Sequence, residues 1–240
     1  MNEKRIISIQ GILISTAIIV AWLASLVILL ARDLNAMSPF IILSGILWQT
    51  WLYAGLFIVA HDAMHGRVYP ENRMINDIFG RFALTLYAFL SFSFLRNKHW
   101  DHHKYPASTN DPDFNEGVHS SFLRWYLKFM KSYWSWGQVI AMAIAFNILS
   151  HLVKIPMLNL ILFWILPAIA STFQLFYFGT YLPHRETTQG FKDKHRARSN
   201  EYPVLLSLIT CFHFGYHWEH HAFPNLAWWQ LPAKRRYLRG

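Results

Sequence analysis

Of the thirteen histidines in this 240-residue chain, nine fall in clusters at intervals that can bring imidazoles together, and a tenth, His184, stands alone at the end of an apolar run. His61 and His65 are four apart, so on a continuing helix both rings leave one face. His99, His102 and His103 fall within an arc of roughly 100° on a helix, and His213, His217, His220 and His221 repeat that pattern with four rings. His184 follows a long apolar run, in Leu182-Pro183-His184-Arg185. The chemistry such sets perform is metal binding, since neutral imidazole suits Zn, Cu, Fe and Ni. A structural zinc takes four protein ligands and a catalytic one three. Eight or more candidates exceed one ion, so two ions are the expected number, and two irons held by imidazole suit the binding and splitting of dioxygen.

The single cysteine, Cys211, excludes an internal disulfide, a four-cysteine zinc site and a cysteine-ligated iron–sulfur cluster. His-Glu-x-x-His, the zinc protease signature, is also absent. Asp62, Asp101 and Glu219 stand beside the histidine clusters, where each is expected to accept the outer N–H of a ligand ring and fix its tautomer. Asp111-Pro112-Asp113 reads as a turn cap or a partner for a nearby Arg or Lys. His119, His151 and His195 have no partner at ligand spacing and read as structural or surface residues.

The elements that must position these rings are set by composition. The chain is 54% hydrophobic and 17% aromatic but only 15% charged, where soluble domains carry about 25%. This excludes an ordinary cytosolic domain, a disordered chain and a secreted disulfide framework. About 20 apolar residues cross a bilayer core, which predicts an all-α integral membrane protein with four transmembrane helices in two hairpins: Ile6–Ala31 with Pro39–Ala60, and Gln138–Val153 with Leu158–Leu182, the last kinked at Pro167. The Met-Asn-Glu-Lys-Arg start resembles a signal peptide, but the run after it is too long for one, so it is expected to persist as a span. Phe79–Leu95 reads as interfacial or re-entrant and Trp125–Trp136 as an amphipathic helix at headgroup level. Val204–Gly215 is too short and too rich in histidine for a span.

The formal charge of +9 reads as topology, with no nucleic-acid partner. Lys4, Arg5, Arg67, Arg96, Lys98, Lys104, Arg185, Arg198 and Lys234-Arg235-Arg236 fall on the side of both termini, against Arg32 and Lys154 opposite. The positive-inside rule puts the termini and a histidine cap on the cytoplasmic side. With no repeat or linker, residues 1–240 read as one domain.

The clusters His-x3-His, His-x2-His-His and His-x2-His-His resemble the histidine boxes of the membrane fatty acid desaturase and hydroxylase superfamily, over most of the chain. The finer sequence is similar to its β-carotene ketolase branch, which acts at C4 of the β-ionone ring. The similar stretches are Gly55–Gly66, Asp111-Pro112-Asp113, Phe176–His184, Cys211–His221 and Trp228–Pro232.

This resemblance implies a non-haem diiron oxygenase with O2 as co-substrate. His61, His65, His99, His102, His103, His217, His220 and His221 are the implied ligands, with His184 similar to the extra histidine that desaturases carry after their fourth span. Desaturases have asparagine one turn before that histidine; here it is Thr180. His213 would be a further ligand or would support one. The implied reaction converts a ring methylene through an alcohol and a geminal diol to a ketone, so β-carotene becomes echinenone and canthaxanthin. A lipid-dissolved substrate requires a site that opens into the bilayer, and the electrons require a separate donor such as ferredoxin, drawn to the basic face. A β-carotene 3-hydroxylase or a lipid desaturase would use the same metal. A metal transporter would instead line its spans with ionisable residues, which these span centres lack.

Overall fold

A computed structural model describes residues 3–114, 121–188 and 190–240, and every regular element among them is helical. The principal helices are α1 (Glu3–Leu30), α2 (Pro39–Met64), α3 (Arg73–Ala88), α4 (Phe92–Lys104), α5 (Phe122–Tyr133), α6 (Trp136–Leu152), α7 (Met157–His184), α8 (Val204–Cys211), α9 (His217–Ala222) and α10 (Leu231–Arg239). His119 lies outside the described residues.

Three helices, α1, α2 and α7, are individually long and apolar enough to cross a membrane, and up to five crossings result if each bent pair counts as one. In apolar surroundings a helix satisfies its own backbone groups, which is why these runs become uninterrupted helices. The expected third span is α6, which ends at Leu152 and meets the length criterion only together with α5, across an 86° bend. No residue of α6 is buried inside the protein, consistent with an apolar helix that faces lipid. The expected Phe79–Leu95 segment is a pair of helices, α3 and α4, bent by 103°.

Local chemistry makes that elbow. Phe89 ends α3 in the left-handed region at φ 56°, and the N–H groups of Phe89 and Leu90 donate to the Thr85 and Leu84 carbonyls, each at 3.1 Å, closing the last turn. Ser91 then caps α4, accepting from the Phe94 N–H. Gly80 gives the ring of Phe92 its place, since a Cβ there would sit 2.1 Å from the ring. The first hairpin is closed in the same way, by Asp33 accepting from the Asn35 N–H and Ser38 from Ile41, with Pro39 at the first helical position.

At the centre is α2, whose residues from Leu52 to Met64 are all buried except Phe57. Helices α1, α3 and α7 pack around it. Beside them α5 buries Trp125 and Tyr126 against Phe176 of α7. Pro167 lies just after a wide turn in α7 (Ile161–Ile165), and the helix runs through it.

Candidate metal centre

The end of α2, the last turns of α4, the end of α7 and all of α9 meet at one place, and each brings its histidines. Ring nitrogens of His61, His65, His99 and His220 all lie within 4.8 Å of one another, as do those of His102, His184, His217 and His221. His103 completes the cluster, its Nε2 lying 3.1 Å from that of His99 and 2.9 Å from that of His220. All nine expected ligand positions therefore converge, in two sets of four with the ninth at their border.

The separations carry chemical information. Nε2 atoms face each other at 2.6 Å for His65 and His99, 3.1 Å for His61 and His220, and 3.1 Å for His102 and His221. Adjacent imidazoles bound to one ion at about 2.1 Å would sit about 3 Å apart. Two ring nitrogens at such distances must share either a hydrogen or a cation.

Tautomers are fixed where the outer nitrogen has a partner that only accepts. His102 Nδ1–H donates to Asp111, 3.0 Å from each carboxylate oxygen, and His184 Nδ1–H donates to the Arg196 carbonyl at 2.8 Å. Each ring thus turns an Nε2 lone pair inward, and that of His184 is buried with no other partner. Burial, reinforced by the neighbouring imidazoles, holds His65, His217, His220 and His221 well below the usual histidine range. These rings are neutral and available as donors. An all-nitrogen set of this kind fits iron, zinc or copper and not magnesium or calcium.

Three expected supporting residues are elsewhere. Asp101 is exposed; two residues from both His99 and His103, it lies about 200° round the helix from each. Its expected role belongs to Asp111, which returns from the following loop and also accepts the N–H groups of Ala107 and Asp113. Glu219 faces away from the rings for the same helical reason and is held by Ser199 Oγ and Arg235 Nη1. His213 is in neither set. The helix begins only at His217, and His213 sits before it at φ 61°, stacked on Tyr216 and packed against Trp228. Asp62 keeps its place beside the site, with Oδ1 3.6 Å from His61 Nδ1 and Oδ2 accepting the Trp228 N–H at 3.2 Å. Thr180 is buried in a wide turn of α7 (Tyr177–Tyr181).

Sequence reasoning missed Asp111 as a histidine partner and the Arg196 carbonyl. The Asp-Pro-Asp turn was visible, but its direction of return was not.

The rings floor a cavity of about 540 Å³ between α2, α3 and α7 on one side and α5 and α6 on the other. Its walls are mainly apolar, including Phe57, Leu95, Met142 and Phe214, and His61, His99, His102 and His217 form its end. Trp134, Val139 and Ile169 at its edge are about half exposed on the apolar flank of the bundle. Phe214 reaches the wall because Gly179 has no side chain, as a Cβ there would lie 2.0 Å from the ring.

Residues 34–150 and 130–240 match the fatty acid desaturase family. The chain belongs to that family. Within it, the chain is 40% identical over 233 residues to a β-carotene ketolase of Paracoccus sp. (strain N81106 / MBIC 01143), covering 97% of this chain and 95% of that relative. It is 41% identical over 192 residues to β-carotene 4-ketolase 3 of Haematococcus lacustris, covering 78% of this chain and 59% of the algal one. It is also 41% identical over 193 residues to a zeaxanthin 4-ketolase of Chlamydomonas reinhardtii, covering 79% of this chain and 43% of that relative. This desaturase-family member thus has its similarity to ketolases spread over nearly its whole length.

Proposed function

We propose that this protein is a β-carotene 4-ketolase, a membrane oxygenase that converts the C4 methylene of carotenoid β-ionone rings to a ketone. The observation that carries the reading is the end-to-end similarity to a β-carotene ketolase, joined to a histidine-floored apolar cavity that opens on the apolar flank. The ligands are His61, His65, His99 and His220 for one ion and His102, His184, His217 and His221 for the other, with His103 between them. Two iron ions held there supply the activation of dioxygen.

The chain's own residues do the rest. The apolar walls admit a hydrocarbon ring from the bilayer and exclude water, and Phe214, 5.1 Å from the His61 ring, limits how the ring can lie. Each turnover takes one O2, two electrons and two protons and releases one water. The first makes a C4 alcohol; the second makes a geminal diol, which loses a further water to leave the ketone. The electrons come from a separate acidic carrier of ferredoxin type. Trp100 marks its approach: it is exposed and packs edge-on against His65 at 4.9 Å.

In this reading residues 1–240 form one domain with α1, α2, α6 and α7 as spans. The α3–α4 elbow and α5 lie at the interface, and both termini and the histidines face the cytoplasm. The test is expression in cells that accumulate β-carotene. Rings that gain one oxygen and lose two hydrogens, absent in His61→Ala and His220→Ala, support ketolation. Rings that gain oxygen without losing hydrogen would mean hydroxylation, and untouched β-carotene beside newly desaturated acyl lipids would replace the carotenoid reading.

A further inference from the structure

The cavity wall next to the histidines carries one acidic side chain, Asp113, in surroundings otherwise built for hydrocarbon. Its side chain is 13% exposed. Tyr133, also in the wall, donates its hydroxyl to Asp113 Oδ1. Among the described residues no N–H or O–H reaches Oδ2. His102 Nδ1 lies 3.8 Å away, and its hydrogen is already given to Asp111. Gln138 belongs to the same wall, and its Oε1 is buried with no donor. The cavity wall therefore holds two acceptors that receive no hydrogen, Asp113 Oδ2 and Gln138 Oε1. A carboxylate oxygen without a donor in a largely apolar wall is suited to accept an incoming O–H.

Neither the starting ring nor the final ketone can supply that hydrogen. The half-oxidised ring can. We propose that Asp113 and Tyr133 form a hydroxyl-holding subsite, which retains the ring through the alcohol on its reacting carbon between the two oxidation rounds. The inference rests on the ketolase reading and deepens it. The alcohol donates to Asp113 Oδ2, while Tyr133, occupying Oδ1, holds the carboxylate so that Oδ2 faces the cavity. When the geminal diol loses water the donor disappears, the contact is lost, and the ketone leaves into the bilayer. Asp113 and Tyr133 act by binding and positioning; neither exchanges atoms with the ring.

The experiment measures binding of β-carotene and of its 4-hydroxy and 3-hydroxy derivatives to the metal-free protein in lipid nanodiscs, by titration of the pigment absorption. A hydrogen bond to a charged acceptor predicts roughly tenfold tighter binding of the 4-hydroxy ring than of the hydrocarbon. Tyr133→Phe and Asp113→Asn should bring that ratio to about one to three while hydrocarbon binding persists. In iron-loaded protein the same variants should raise the share of 4-hydroxy product. An unchanged ratio in both variants overturns the subsite, and so does a preference that follows the 3-hydroxyl instead. A wild-type protein that binds none of the three carotenoids overturns the ketolase reading itself.

Discussion

His102 and Asp111 are joined through Nδ1 contacts of 3.0 Å to both carboxylate oxygens, with both side chains buried. Burial raises the Asp111 carboxyl, but the adjacent His102 ring more than offsets this and leaves it below the usual carboxylate range. The carboxylate is therefore ionised, and it holds the outer N–H of one metal-site ring while closing its own loop. Asp111→Ala should lower metal affinity about 10- to 100-fold, the usual cost of losing such a partner. Metal titration of the purified protein checks this, and Asp101→Ala, at an exposed position, should leave the affinity unchanged.

The division into two histidine sets predicts a stoichiometry. Two irons per chain are expected, falling to one in His65→Ala and to one in His184→Ala, because each removes a ligand from a different set. His213→Ala should retain both. Elemental analysis beside protein quantitation reads all three, and loss of iron from His213→Ala would place that ring in the centre after all.

The stability of the metal-free protein should depend strongly on pH. In the folded protein His65, His217, His220 and His221 titrate well below 6.5, and burial puts His213 at about 4. The unfolded chain binds more protons below 6.5, so stability is full above that pH and is lost as pH falls toward the folded values. Each such ring contributes a slope of about 1.4 kcal/mol per pH unit. Thermal unfolding of the metal-free protein from pH 7.5 downward should show a steep decline, and iron or zinc should raise the whole curve without removing that slope, because metal-bound rings also take up protons only on unfolding.

Glu219 and Arg235 make a buried ion pair at 2.5 Å, with side chains 6% and 7% exposed, joining α9 to α10. Arg235→Ala leaves Glu219 buried without its cation and should cost about 3–5 kcal/mol. Ser199 Oγ still donates to the carboxylate and moderates the loss. The check is the unfolding temperature in detergent.

Much of the site was legible because a helix converts spacing into direction. His61 with His65, His99 with His103, and His217 with His221 each had only to lie on a regular helix to share a face. What lay outside regular helix was hidden. His213 sits one turn too early for α9, on a left-handed turn that spacing does not announce. Glu219 finds Arg235 sixteen residues on, and Asp111 finds His102 through a loop whose path depends on its own Asx-type hydrogen bonds. The elbow between α3 and α4 was equally hidden, because Phe89 in a left-handed conformation has no compositional mark.

Oxygen insertion at C4 can be read directly on purified, iron-loaded protein in nanodiscs. The protein is given β-carotene, an acidic iron–sulfur carrier as reductant, and heavy-isotope dioxygen, and the mass of each ring is read. A 4-ketolase gives ketone oxygen derived from the gas, with two hydrogens lost from each oxidised ring and both changes absent in His220→Ala. A ketone carrying only light oxygen when made in heavy dioxygen, with solvent exchange of the carbonyl controlled, would contradict it.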